Sequence, residues 1–260
     1  MRSILDELKR SIVNKGFVLA ILLVFIMYFI DGNESLDEYA NLVSLLDLIT
    51  NVGAFTWVIP CIGTLCYAGS FVSEYSQGYV RYKYMRIGVR RYALQKCTVT
   101  FISACVAVFA GVFLYAVYAY SVCGQIMDPD VLNNYSPYAD SVSFYVLIIR
   151  GQYIEYLMLL TFIRGLAAGT CSLLGLFLST VWKNSYIALF SPAILIYFKD
   201  YVLNWLSVYP NLSLKSMEFG QINIGGVIKP AAVIVVVFMA ISALTTLFVY
   251  CSLKRGCADV

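Results

Sequence analysis

The stretch Phe71-Val-Ser-Glu74-Tyr-Ser-Gln-Gly78-Tyr-Val-Arg81-Tyr-Lys83-Tyr-Met-Arg86-Ile-Gly88-Val-Arg90-Arg91-Tyr92-Ala-Leu-Gln-Lys96 decides how this chain is read, because it places six of the 18 lysines and arginines between two long apolar runs. Such a density of charge belongs to a loop outside the hydrocarbon. Within it Tyr75, Tyr79, Tyr82 and Arg86 recur at helical spacing with basic residues beside them, which predicts a short amphipathic helix over 75–91. One reading is a helix gripped by a soluble partner. The other is a juxtamembrane basic loop that satisfies topology and touches anionic lipid.

The rest of the chain is 61% hydrophobic and 13% charged, with apolar runs long enough for a hydrocarbon core of about 30 Å, so it reads as an integral membrane protein. A net charge of +3, scattered among apolar segments, gives no nucleic-acid footprint. Of the eight cysteines, Cys61, Cys66, Cys97, Cys105, Cys171 and Cys251 fall in or beside expected spans, Cys257 in the tail, and Cys123 near an outer surface. They read as small apolar fillers rather than a disulfide framework.

Along the chain, residues 1–15 put Ile4, Leu5, Leu8 and Ile12 on one helical face and Arg2, Glu7, Lys9 and Arg10 elsewhere, which predicts a helix lying on the membrane surface. Residues 17–30 read as the first span. Asp6 and Glu7 ahead of it, and no small-x-small pair before Asp31, argue against a signal-peptide core. Further spans are expected at about 52–72 with a kink at Pro60, 92–123, 156–181 after a short outer helix, 184–206 and 230–253. The fold class is therefore all-α, one transmembrane domain over 1–260 with six transmembrane helices. Arg2, Lys9, Arg10, Lys15, the six bases of the opening stretch, Lys183, Lys254 and Arg255 then share one side. The other side has Arg150, Lys199, Lys215 and Lys229 together with Asp31, Glu34, Asp37, Glu38 and Asp47, so both termini are expected in the cytosol.

The sequence contains no histidine, which removes His-Glu-x-x-His metalloproteases, histidine-dependent serine proteases and the usual haem-ligating spans. No metal-ligand cluster is visible. The dipeptide Gly-Lys is absent, so the chain has no phosphate-cradling Gly-x-x-x-x-Gly-Lys-Ser/Thr loop, and energy from ATP would have to come from a partner. Arg164 is the one charge expected well inside a span. It either lines a substrate path or subunit interface, or snorkels to the outer boundary. The adjoining Gly165 and Gly169 allow another helix to come close.

With that topology, Phe71, Glu74, Gly78, Arg81, Arg86, Gly88, Arg91, Tyr92 and Lys96 resemble the loose pattern of ABC-2 type ABC transporter permeases: an acid, a glycine, basic residues, a turn, then Tyr-x-x-x-Lys opening the third span. Ile87-Gly88-Val89 stands where that turn often has proline and serine. The resemblance implies a cytosolic coupling helix between spans 2 and 3, with Glu74, Gly78, Arg81, Arg86, Gly88, Arg91, Tyr92 and Lys96 as the ATPase-coupling residues. It also implies a dimer with a second permease copy or homologue, two cytosolic ABC ATPase subunits that bind ATP and Mg, no cofactor and no catalysis in this chain, and a bacterial cell membrane.

Twenty-one tyrosines and few charges in the spans favour an amphipathic or apolar cargo, such as a peptide or antimicrobial peptide, a lipid or a drug-like molecule. Tyr135, Tyr138, Phe144, Tyr145 and Tyr153 either line an exit or form an interfacial aromatic belt, the belt being the simpler expectation. A secondary transporter or channel, and a membrane sensor or assembly factor that transports nothing, are the alternatives.

Overall fold

The computed structural model describes residues 4–33, 41–53, 55, 58–128, 135, 142, 144–194 and 227–258. Every regular element among them is a helix. These are α1 (Ile4–Ile12), α2 (Lys15–Asn33), α3 (Leu42–Val52), α4 (Ile59–Ile62), α5 (Thr64–Tyr67), α6 (Ser70–Ser76), α7 (Tyr79–Ile87), α8 (Val89–Cys123), α9 (Tyr145–Ile149), α10 (Tyr153–Trp182), α11 (Ser185–Ile194) and α12 (Ile228–Ala258).

Four of these, α2, α8, α10 and α12, are long and apolar enough to cross a membrane. Their faces are sorted opposite to those of a soluble bundle. On α8 the inward face is small, with Ala104, Ala107, Val108 and Gly111 buried, while Val106, Phe113, Leu114 and Val117 point out. Large apolar side chains facing outward gain nothing in water but sit at no cost in lipid, and small inward residues let backbones approach. α10 is the most enclosed, lying along both α8 and α12, and α2 runs along α8.

The expected span at 52–72 is not a single helix. It is a segmented run, α4, α5 and α6, broken at Gly63 and before Ser70. Pro60 sits in the first turn of α4, where a missing N–H is harmless. Gly63 is wedged against Ala104 and Ala168, where a side chain would meet atoms at 3.0 and 3.2 Å. The expected fifth span is described over Ser185–Ile194, and its remainder, 195–206, lies outside the described residues.

Contacts sort the helix ends. The Lys83 ammonium on α7 meets Glu7 on α1, Lys183 after α10 donates to the Tyr75 hydroxyl at 2.8 Å, and Thr180 near the end of α10 donates to Ser252 on α12 at 3.1 Å. The α1 helix, the 70–96 segment, Lys183 and the Lys254-Arg255 tail therefore gather at one end of the bundle. Asp31, Asp47 and α9 belong to the opposite half.

Candidate functional site

Gly78 and Gly88 shape the segment between α6 and α8. Gly78, at φ +73° and ψ 0°, turns the chain from α6 into α7. Gly88, at φ +79° and ψ 149°, joins α7 to α8 in a conformation that is nearly glycine-only. The stretch expected as one helix over 75–91 is thus split: Tyr75 lies in the last turn of α6, whereas Tyr79, Tyr82 and Arg86 share α7.

Folding α6 and α7 back on the start of α8 brings charges together. The Glu74 carboxylate accepts from Lys83 at 2.7 Å, from Lys96 at 2.8 Å and from the Tyr92 hydroxyl at 2.8 Å. Glu7 of α1 accepts from Lys83 at 3.1 Å and from the Tyr67 hydroxyl. The Lys96 ammonium, 3% exposed, also donates to the Tyr67 hydroxyl at 3.0 Å and to Ser70 Oγ at 3.3 Å. Its three hydrogens are thereby matched to three acceptors. Arg10 adds a looser contact to Glu74 at 3.6 Å.

Two carboxylates and two ammoniums form a charge-balanced knot fastening α1, α5, α6, α7 and α8. Burial alone would raise the Glu7 pKa. The Tyr67 hydrogen bond, the Lys96 charge and the Lys83 contact outweigh it and hold the carboxyl down at about 2. Glu74 is likewise lowered, burial being overcome by the Lys96 charge, the Lys83 and Lys96 hydrogen bonds and Tyr92. Both carboxyls are therefore ionised at neutral pH, and the cluster acts as a fastener.

The sequence-predicted coupling residues therefore divide. Glu74, Tyr92 and Lys96 point inward, and Phe71, 3% exposed, packs with Val80 onto Leu173, Val249 and Leu253. Arg86 and Arg91 point out, and the Arg81 side chain lies outside what is described. Beside Arg86, Tyr79, Tyr82 and Met85 are 57%, 71% and 77% exposed. Glu7, Tyr67 and Lys83 belong to the cluster and were not among the predicted site residues. Glu74, the one acid within the otherwise basic 71–96 stretch, was the available signal.

A second polar cluster lies in the other half. Asp47 of α3 accepts from Tyr145 at 3.0 Å, from Asn51 at 2.9 Å and from Tyr156, and Tyr135 donates to Ser44 at 3.2 Å. Tyr135 and Phe144 are buried, so these two form neither an exit lining nor a belt, and Tyr145 is half-buried. The Tyr135 and Tyr145 hydroxyls are spent on α3, and the Tyr145 ring lies against that of Tyr156 on α10. Tyr138 lies outside the described residues.

Arg164 is 1% exposed and donates through Nη2 to the Thr50 carbonyl of α3, so it does not snorkel outward. Gly165 and Gly169 meet Cys105 and Phe101 of α8. Their close approach is used within the chain. The seven cysteines whose side chains are described form no disulfide among themselves. No family model matches the chain, and neither does any curated protein or solved structure.

Proposed function

We propose that the chain is the membrane-spanning permease subunit of an ATP-driven exporter of ABC-2 type, with six spans, both termini in the cytosol of a bacterial cell, and a second permease copy or homologue beside it. A separate ATPase binds ATP and Mg and supplies the energy, and the cargo is amphipathic or apolar. One observation supports this most: the 70–96 segment presents Tyr79, Tyr82, Met85 and Arg86 outward while its inner residues are tied by ion pairs to α1 and to the long helix α8. A force applied to α7 would reach the membrane domain through those ties rather than bend a loose loop. The gathering of the basic segments at one end of the bundle favours the same orientation by the positive-inside rule.

The test is a double variant, Arg81→Glu with Arg86→Glu. It is expected to insert normally, since the other bases still satisfy topology, and to lose both the association with an ATPase that is expected of the wild-type chain and ATP-driven transport in proteoliposomes. Normal association and transport would remove the coupling assignment. Transport by the isolated chain on an ion gradient would favour a secondary transporter instead.

A further inference from the structure

We infer that Asp47 is a proton-operated pin: protonated, it holds α3 down as a cover over an apolar groove between α8 and α10, and ionised, it releases that cover. The inference goes beyond the reading above and rests on neither an ATPase nor a cargo.

A helix of 11 residues such as α3 does not persist on propensity, so its ties decide where it sits. At its start the Asn41 side chain accepts from the Ser44 N–H at 2.9 Å, and the Leu42 and Val43 N–H groups donate to the Gln125 and Ile126 carbonyls at 3.2 and 3.1 Å. At its end the Thr50 carbonyl is held by Arg164. Between these two ends the fastening to α9 and α10 converges on one carboxylate, that of Asp47, the one ionisable side chain of α3. Leu42 and Leu46 of the same helix, with Phe113 and Val117 of α8 and Leu157 and Met158 of α10, line a groove of about 250 Å³. Lifting α3 from α9 and α10 therefore uncovers apolar surface.

The charge on Asp47 is poorly supported. It is 9% exposed, and Tyr145, Tyr156 and Asn51, which donate to it, are all neutral. Among the described residues no lysine or arginine pairs with it, whereas Glu7 and Glu74 both meet ammoniums. Neutral donors lower the cost of burying a carboxylate without cancelling its charge. Burial raises the Asp47 pKa above its ordinary 3.8, outweighing the Tyr156, Tyr145 and Asn51 hydrogen bonds that pull it down. The neutral acid is the form that the docked helix prefers. Its contribution to docking is complete below the ordinary value and is lost as pH rises through the raised one.

The cluster also has a place for the proton. Asn51 Oδ1 is buried, and among the described residues no donor reaches it. Asn51 Nδ2 donates to the carboxylate at 2.9 Å, and a half-turn of the amide puts Oδ1 there instead, as acceptor for the acid's O–H.

The elements packed against α3 bring other ionisable groups. Asp31 at the end of α2 is half-buried and accepts from the Phe55 N–H at 3.2 Å. Glu155 of α10 and Arg150 after α9 are exposed, and Arg164 is engaged a turn further along α3, at Thr50. Tyr28 of α2, Tyr115 and Cys123 of α8, Tyr153 of α10 and Tyr135 add phenols and a thiol, which are uncharged between roughly pH 5 and 8. Asp31 is thus the group to control for.

Hydrogen–deuterium exchange of the full chain in nanodiscs, read as protection factors so that the intrinsic pH dependence of exchange cancels, tests the pin from about pH 5 to about pH 9. Protection of residues 43–51 is expected to fall at least about tenfold from acid to alkaline while the interior of α10 stays unchanged. Asp47→Asn keeps the shape without the charge, and α3 should then stay protected throughout. Tyr145→Phe removes a donor to the ionised form, so the midpoint is expected to rise by about one pH unit, a readout that decides even if Asp47→Asn fails to fold. Asp31→Asn should leave the midpoint in place. Flat protection in the wild type, an unshifted midpoint in Tyr145→Phe, or a pH dependence that survives Asp47→Asn overturns the pin. So does a midpoint that moves with Asp31→Asn, which would make Asp31 the titrating group.

Discussion

Replacing Glu74 by glutamine removes the carboxylate on which the knot converges. Lys96 and Lys83 approach it at 2.8 and 2.7 Å. At such separations each pair has about 6 kcal/mol of gross attraction for an effective dielectric near 20. Desolvation offsets most of this, and removing one partner of a buried pair typically costs about 3–5 kcal/mol because the other charge stays behind. Lys96 would still have Glu7 at 3.9 Å, which places Glu74→Gln at the lower end, about 3 kcal/mol. Lys96→Met should be milder, about 1–2 kcal/mol, since Glu74 keeps Lys83 and Arg10. In the double variant neither charge is stranded, so its cost should fall short of the sum by about 1–3 kcal/mol. Equilibrium unfolding of the purified chain in mixed micelles, with rising dodecyl sulfate fraction, measures all four corners of the cycle. Additivity within about 0.5 kcal/mol would refute the pairing, because it would mean that Glu74 and Lys96 do not feel each other.

Other outcomes follow from the same geometry. Gly88→Ala, at φ +79° and ψ 149°, should cost about 1–3 kcal/mol in that unfolding assay and more than Gly78→Ala, and an equal or smaller loss would contradict the backbone assignment. Acid stability should follow Glu7: its carboxyl falls from an ordinary value near 4.5 to about 2 on folding, so its contribution is full above pH 4.5 and is lost as pH drops toward 2. Melting temperature against pH should show that decline in the wild type and a shallower one in Glu7→Gln, and identical slopes would argue against it. Arg164→Ala empties a buried site and strips a donor from the Thr50 carbonyl, so a loss of about 3 kcal/mol is expected, whereas wild-type stability would mean that the guanidinium is not held by α3.

The long helices were legible because their signal is local. Long apolar runs marked α2, α8, α10 and α12, the third of them despite Arg164, and Pro230 marked the start of the last to within two residues. The break at Gly63 was not legible, since a glycine in an apolar run is ordinary until Ala104 and Ala168 are known to press on it. The amphipathic pattern of α1 was read correctly as a face, yet the consequence of its polar side was missed. Glu7 is buried because α5 and α7 bring Tyr67 and Lys83 to it from positions 60 and 76 residues away. Asp47 looked like one more acid of an outer loop for the same reason. Its three donors come from its own helix, from α9 and from α10. Pairings of this kind depend on which helices become neighbours, and no local periodicity carries that information.

The division of the 71–96 motif into inward and outward residues has a physical logic of its own. A helix of nine residues such as α7 is too short to persist in water on propensity, since nucleation costs more than so few hydrogen bonds return. It needs tertiary anchors, and Val80, Tyr84 and Lys83 supply them against α8 and the knot. Only because those anchors are strong can Tyr79, Tyr82, Met85 and Arg86 be left exposed without the helix unravelling. Weakening the knot should therefore loosen the outer face before it unfolds the bundle. Glu74→Gln is expected to raise amide exchange across Tyr79–Ile87 while leaving α10 protected, and uniform exchange across both would show that the knot and the bundle open as one unit.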